Sequence, residues 1–329
     1  MKTVAFFNNK GGVGKTTLVY HLAWMLAERG EQVLAVDLDP QANLTAMFLP
    51  EDKLEDLWPM GEHPKTIFGA VRPMMFGLAD TDAPHIEAID THIGLVPGDL
   101  ELSTLQDPLA DAWLHCHFGE HLAFAATTAF HRVIQRAGAS HGATWVLIDA
   151  GPNLGAINRA ALIASQYVAI PLVADLSSLH SLRNLGTAFR TWRAGWRELR
   201  GKNPNALPAL PKGEVEPLGY VVMQHGSGTG PRHKAYQRWI ERFPAEYRES
   251  VLGEPPGQFL TAADDPCCLA MLKHYRSLVP MALEARKPVF ALKPADGAIG
   301  AHGEAVRHAY DDFLALARRI ADRCGATLS

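Results

Sequence analysis

The sequence has little cysteine, and Cys116, Cys267, Cys268 and Cys324 include no C-x-x-C pair. That excludes a disulfide scaffold as the source of stability and fits a reducing cytoplasm, with no thiolate framework for a metal. Long hydrophobic runs are also missing. No stretch approaches the roughly 18 apolar residues that a membrane-spanning helix needs. The apolar run Val4-Ala5-Phe6-Phe7 passes straight into a glycine-rich loop, with no cleavage-site pattern, unlike a secretory signal. Charge of one sign is scarce: the net charge is −4, so any attraction to nucleic acid must come from a local patch. What is present is 47% hydrophobic and 20% charged residues, a composition that supports a well-cored cytoplasmic globule and not a disordered chain.

Hydrophobic periodicity then divides the chain. Residues 4–7 are short and wholly apolar, as a buried strand is. From Lys15 to Arg29, Leu18, Leu22, Met25 and Leu26 recur at helical spacing, and Gly30 occupies the C-cap position. Residues 32–37 supply a second apolar strand. Strand, helix and strand within about forty residues make a βαβ unit, which dictates a parallel sheet and a right-handed crossover. Further strands are predicted at 93–96, 144–149, 167–171 and 218–223, each nearly continuous in apolar character, as strands covered on both faces are. The predicted fold class is α/β, a doubly wound, mostly parallel sheet with helices on both faces, in a single domain over 1–329. Embellishments are predicted over 49–90, irregular with one helix, and over the Pro-, Gly- and Lys-rich 201–216.

Between the first strand and the first helix lies Asn8-Asn9-Lys10-Gly11-Gly12-Val13-Gly14-Lys15-Thr16-Thr17. This is the frame a phosphate-binding loop requires. Glycines let backbone N–H groups turn inward around phosphates where side chains would clash, and the helix N-terminus adds partial positive charge. In such a loop Lys15 reaches the β- and γ-phosphates and the Thr16 hydroxyl ligates Mg²⁺, so ATP and Mg²⁺ are the expected ligands. The strict pattern G-x-x-x-x-G-K-[ST] fails because residue 9 is Asn, and Lys10 adds a second lysine at the front of the loop.

The segment K-G-G-V-G-K-T-T resembles the deviant Walker A signature of the ParA/MinD group of P-loop ATPases. Val36-Asp37-Leu38-Asp39-Pro40-Gln41-Ala42-Asn43 is similar to that group's D-x-D-P-Q-x-N switch I, and Trp145-Val146-Leu147-Ile148-Asp149-Ala150-Gly151-Pro152 resembles its Walker B strand and switch II. Residues 167–172 and 279–288 resemble later family segments, so the likeness spans nearly the whole chain. The D-P-Q-x-N segment is closer to the ParA (Soj-like) partition branch than to MinD. The resemblance implies a fold of P-loop NTPase type. It also implies slow, partner-stimulated hydrolysis of ATP to ADP and phosphate, and a nucleotide-sandwich homodimer in which Lys10 crosses to the partner's phosphates. Lys10, Lys15 and Asp39 would be catalytic, with Asp39 positioning the attacking water. Lys10, Gly11, Gly12, Val13, Gly14, Lys15, Thr16 and Thr17 would surround the nucleotide. Mg²⁺ would be held by Thr16, by Asp149 through its water shell, and with support from Asp37. Met223 and Gln224 are the expected adenine contacts, although Gln224-His225-Gly226 lacks the Asn or Asp common there. Gly151 replaces the first Pro of the family's D-x-P-P, and residues 264–272, with vicinal Cys267 and Cys268, have no family counterpart.

Along residues 178–200, Arg183, Arg190, Arg193, Arg197 and Arg200 share an arc beside an apolar arc of Leu185, Phe189, Trp192, Trp196 and Leu199. Five guanidinium groups in one stripe, with Lys202 beyond, make a candidate ridge for non-specific DNA; a solvated amphipathic helix is the plainer alternative. In the last segment, residues 305–323, Asp311, Asp312 and Asp322 oppose anionic lipid, so packing on the domain and no stable membrane association are expected. His115, His117, Glu120 and His121 have metal-like composition but no second ligand cluster. The expected function is an ATP-dependent dimerisation switch that binds DNA, answers to a ParB-like activator and positions a plasmid, chromosome or other cargo on the nucleoid. The alternatives are a MinD-like membrane-cycling regulator and a metabolic ATP-dependent enzyme on the same fold. Because the sequence opens at the first strand, no operator-binding domain is expected ahead of it.

Overall fold

A computed structural model describes residues 1–77, 84–203, 210–225, 231–255, 261–275 and 277–328. Residues 78–83 and 204–209 of the two expected embellishments, and Gly226 beside the expected adenine contacts, lie outside the described residues. The chain opens with β1 (Lys2–Phe6), α1 (Lys15–Glu28), β2 (Val33–Leu38), α2 (Asn43–Phe48), α3 (Glu51–Leu57), α4 (Ile67–Met75), β3 (Glu87–Asp90) and β4 (Ile93–Val96). Next come α5 (Gln106–His115), α6 (His121–Thr127), α7 (Ala129–His141), β5 (Trp145–Ala150), α8 (Ala156–Ile163), β6 (Tyr167–Val173) and α9 (Leu176–Arg200). The rest comprises β7 (Glu216–His225), α10 (Pro231–Ile240), α11 (Phe243–Glu246) with a π-helical turn (Tyr247–Leu252), β8 (Cys268–Lys273), α12 (Leu278–Ala285) and α13 (Ala301–Arg323).

Among the described residues the strands form one eight-stranded sheet in the order β3-β4-β2-β5-β1-β6-β7-β8. Every pairing is parallel except β3 with β4. The doubly wound α/β class expected from the apolar strands is therefore what forms. Alternation along β1 explains why both faces must be covered: Val4 and Phe6 enter a core with α1 and α13, while Ala5 and Phe7 enter a second core with α7, α8 and α9. The sheet register also sets up the site. Asp37 of β2 pairs with Asp149 of β5, and Phe6 of β1 pairs with the same Asp149. The loops after β1, β2, β5 and β7 thus leave from one edge of the sheet, where ligands bind in open α/β folds.

The terminal helix α13 buries Ala309, Phe313, Leu316, Ala317 and Ile320 against α1 and β8. Its apolar face is consumed by the core, and no helix among the described residues is long and apolar enough to cross a membrane.

Three expectations need correction. The segment 264–272, for which no strand was predicted, delivers β8, which pairs parallel with β7 at the sheet edge. Cys-Cys-Leu-Ala-Met-Leu has neither the β-branched run nor the alternation that marks a strand. β3 also went unread, since a four-residue edge strand with charged Glu87 and Asp90 carries almost no apolar signal. Among the described residues of 49–90 there are two helices, α3 and α4, and not one; α3 buries only Leu57, so it shows no helical periodicity.

Candidate functional site

The loop from Asn8 to Gly14 is fixed at its base by Asn8. Its amide Nδ2 donates to the Pro171 carbonyl at 2.7 Å, and its Oδ1 accepts from the Lys10 backbone N–H at 3.0 Å. This ties the loop to β6 and turns it at Lys10. Gly14 enters α1 with φ of 87°, a left-handed conformation that L side chains rarely adopt, and a Cβ there would lie 2.8 Å from Met223 Cε. The left-handed backbone favours glycine at that position, and a Cβ would also displace the Met223 methyl.

Lys15 is buried, and loss of solvation holds its ammonium below the usual lysine range, opposed by the charges of Asp149 and Asp39. The Thr16 hydroxyl donates to Asp149 Oδ2 at 2.6 Å. Asp149 is fully buried, and its other oxygen, Oδ1, has no partner. Burial first, and then the charge of Asp37, push the Asp149 carboxyl well above the usual range. An orphaned carboxylate oxygen beside a threonine hydroxyl, among three acids and one buried lysine, fits a divalent cation. Thr16 and Asp149 are the residues that would hold it.

Asp37, expected to support the metal, is engaged by donors of its own chain. Its Oδ2 accepts from the backbone N–H and the hydroxyl of Thr45, at 2.9 and 2.8 Å, and its Oδ1 accepts from the Asp39 N–H at 3.2 Å. Both oxygens are occupied by the chain's own donors, so Asp37 orders the turn that carries Asp39. Burial pushes its carboxyl up to about 7. Asp39 caps the same turn, with Oδ1 accepting from Gln41 N–H at 3.0 Å, and it lines the phosphate cavity. Switch II is pinned by a residue that gave no sequence signal: Asn158 Nδ2 donates to the Gly151 and Asn153 carbonyls at 3.0 and 2.7 Å. Gly151 itself lies against Pro40, where a Cβ would come within 3.3 Å of Pro40 Cδ. The glycine lets switch I and switch II touch.

Lys10 forms an ion pair with Asp175, whose other oxygen caps α9 by accepting from the Ser178 N–H at 2.9 Å. The second lysine of the loop is thus tied in cis to the start of the arginine-bearing helix.

Two adjoining cavities complete the site. One of about 800 Å³ is lined by the loop from Gly11 to Thr17 with Asp39, Gln41, Asn43 and Pro152. The other, about 320 Å³, is mainly apolar and is walled by Met223, Leu272, Tyr275, Val279 and Phe313. Met223 and Gln224, the expected base contacts, line it together with residues of β8, α12 and α13 that were not expected there. His21 of α1 closes its floor. Its Nδ1–H donates to the Thr17 carbonyl at 2.7 Å, its Nε2 accepts from Val289 N–H at 3.1 Å, and its ring stacks on Phe313 at 4.7 Å. Burial lowers its pKa to about 4, which keeps it neutral for both bonds.

The arginine stripe is exposed at Arg183, Arg190, Arg197 and Arg200 and half-buried at Arg193, and most of its guanidinium groups also meet acceptors on neighbouring segments. At Gly186 the backbone of Ser250 comes so close that a Cβ would overlap its carbonyl, and the neighbouring arginines serve that contact. Arg183 binds Glu246 bidentately at 2.9 and 2.8 Å, and Arg190 donates to the Ser250 carbonyl. Arg193 is half-buried, with Nε and Nη2 unpartnered among the described residues. Arg197 stands 3.7 Å from Glu214, and Arg200 donates to the Lys212 carbonyl at 3.4 Å; both are exposed. Among the described residues no group of three or more His, Cys, Asp or Glu is arranged to hold a metal, and His115 Nδ1 instead meets Glu120 Oε1 at 2.8 Å.

The parallel sheet, the glycine loop and the acids at the adjacent strand ends define a P-loop nucleotide-binding protein with two signature lysines. A family model described as an AAA domain matches residues 1–196, and the chain belongs to that family, within the ParA/MinD group. Protein IncC of Escherichia coli is 30% identical over 193 residues, covering 59% of this chain and 47% of that protein. A ParA family protein of Chlamydia pneumoniae is 28% identical over 231 residues, covering 64% and 78%. The chain spans about half the length of the first curated relatives it matches. Among solved structures, protein DIP2308 of Corynebacterium diphtheriae has a TM-score of 0.69 at 25% identity, over 87% of this chain and 97% of that one. An ATP complex of a McdA variant from Cyanothece shares the fold at a TM-score of 0.62 and 18% identity, over 99% and 97%.

Proposed function

We propose that the chain is a ParA-type ATPase, an ATP-dependent dimerisation switch that binds non-specific DNA and positions a cargo such as a plasmid or chromosome. The observation that carries this reading is the two-lysine loop. Lys15 lies buried among Asp39 and Asp149, while Lys10 is partly exposed on a partner, Asp175, that it can exchange. Lys15 binds the phosphates from within the chain, and Lys10 crosses to the phosphates of a second copy, where its charge meets the developing negative charge. Asp39 orients the attacking water, and Asp37 and Thr45 hold Asp39 in place. Mg²⁺, held by Thr16 and Asp149, would supply charge neutralisation on the phosphates. Hydrolysis is slow until a ParB-like protein completes the site.

The cis pair between Lys10 and Asp175 supports a link from nucleotide to α9, because the exchange would leave the carboxylate that caps the arginine helix without its cation. Arg183, Arg190, Arg197 and Arg200 are all exposed; Arg197 and Arg200, whose contacts to Glu214 and the Lys212 carbonyl are the longest, are with Lys202 the proposed phosphate contacts. The relatives named ParA, including one described as plasmid-partitioning, support the choice of cargo class. The buried face of α13 gives no support to a membrane-cycling alternative.

Binding to random-sequence duplex DNA, with ATP, with ADP and in Lys15→Ala, tests the proposal. ATP-dependent binding that falls steeply with salt and disappears in Lys15→Ala is expected; absence of binding with every nucleotide overturns the partition reading.

A further inference from the structure

Six residues line both cavities and so form the neck between them: Gly14, Thr17, Met47, Gln224, Leu283 and Arg286. If phosphates occupy the polar cavity and a base the apolar one, the neck is where the sugar and α-phosphate pass. This inference rests on the nucleotide-site reading above. Among the described residues only three non-glycines have positive φ, and two of them, Gln224 at 57° and Arg286 at 49°, are neck residues. Backbone strain of this kind persists where the surroundings over-determine it, and it concentrates at functional sites.

Arg286 is the sharper case. It ends α12 in a left-handed turn in which Arg286 N–H bonds to the Leu283 carbonyl at 3.3 Å and Lys287 N–H to the Ala282 carbonyl at 3.0 Å. Glycine is the residue that ordinarily ends a helix this way, because only it adopts the turn without steric cost. The following residues lock the turn: Lys287 pairs with Asp296 at 2.8 Å, and Val289 N–H bonds to His21 Nε2 at 3.1 Å. A glycine would fit this frame with less strain, so holding an arginine there calls for a use of its side chain. That side chain is exposed at the neck, and its Nη1 donates to the Leu49 carbonyl at 2.6 Å, which swings the guanidinium across from α12 toward the end of α2. Anchored at one nitrogen, the planar fork keeps other N–H groups for a phosphate oxygen.

The geometry points to Arg286 as a nucleotide-binding residue that contacts the α-phosphate from the neck of the site, in addition to the phosphate loop. The contact lies outside the loop and reaches the site from the far end of the chain. It would couple nucleotide occupancy to the segment joining α12 to α13.

Competition of a fluorescent ADP analogue by ADP, AMP and adenosine tests this in the wild type and in Arg286→Gly, Arg286→Ala and Arg286→Lys, alongside thermal melting. One charge-assisted hydrogen bond at an exposed site predicts about a tenfold weaker affinity for ADP and AMP in the Gly and Ala variants. Adenosine affinity should be unchanged, Lys should retain part of the phosphate affinity, and Arg286→Gly should melt at or above the wild-type temperature. Wild-type ADP affinity in Arg286→Gly overturns the assignment. So does an equal loss for adenosine, which would make the residue a support of the base cavity. Failure of the site reading itself looks different: the wild type would not bind the analogue, or Lys15→Ala would bind it unchanged.

Discussion

The two halves of the nucleotide site are built in opposite ways. The phosphate half comes from short contiguous segments at neighbouring strand ends: the loop after β1, the Asp39 turn after β2 and Asp149 with Gly151 after β5. The base half is gathered from α1, β7, β8, α12 and α13, which are separated by most of the chain. Phosphate recognition needs backbone N–H groups and charges at fixed spacing, so its chemistry is written in consecutive residues. Base recognition by apolar walls needs only bulk and shape, which many sequences supply.

The difference can be broken from either side. The largest effect is expected in the phosphate half. Lys15→Ala should lower ATP turnover by at least about 100-fold, with secondary structure retained by circular dichroism. Turnover near wild type would show that this lysine does not touch the phosphates. In the base half, Phe313→Ala removes the ring that His21 stacks on and should destabilise the fold by about 3–5 kcal/mol, measured by denaturant unfolding. Adenosine affinity should fall with it, because the ring also walls the base cavity.

This contrast explains what could be read in advance. The β1–loop–α1 unit, the six central strands, and Lys15, Thr16, Asp39 and Asp149 at the site were legible because each had an apolar run or a spaced motif. β8 was not, because a vicinal cysteine pair followed by Leu-Ala-Met-Leu has no strand signature until β7 is there to pair with it. Thr45 and His21 act through hydrogen bonds to backbone groups distant in sequence, and Asn158 through bonds back across the switch II turn, and no local pattern announces such bonds. The arginine stripe was visible as a pattern, but the helix face it occupies was set by the close approach at Gly186, which only the tertiary packing reveals.

A pH titration sharpens the account of the acids. Asp37 moves from an ordinary 3.8 to about 7 through burial, so the folded state keeps a proton that the unfolded chain releases. Its contribution to stability therefore declines as pH rises from about 4 to about 7, and is flat above. Melting temperatures of the wild type and Asp37→Asn across that window should converge or cross in that direction. An identical pH slope in both proteins would remove Asp37 as the source. Added Mg²⁺ should stabilise the wild type most at the alkaline end, where the acids are ionised.

The smallest effects separate two sets of arginines. Arg183→Ala leaves the largely buried Glu246 without its partner and should cost about 1 kcal/mol in unfolding. Arg197→Ala should alter stability by less than about 0.5 kcal/mol, while reducing the salt slope of DNA binding by about 1. The reverse pattern would return the buttressing arginines to the DNA surface.

The most direct test of the switch is the mass of the chain in solution, measured by sedimentation with ATP, with ADP and without nucleotide, for the wild type and Lys10→Ala. The account predicts a dimer with ATP alone and a monomer in every other case, Lys10→Ala with ATP included. A wild type that stays monomeric with saturating ATP, or a Lys10→Ala that dimerises as the wild type does, would contradict it.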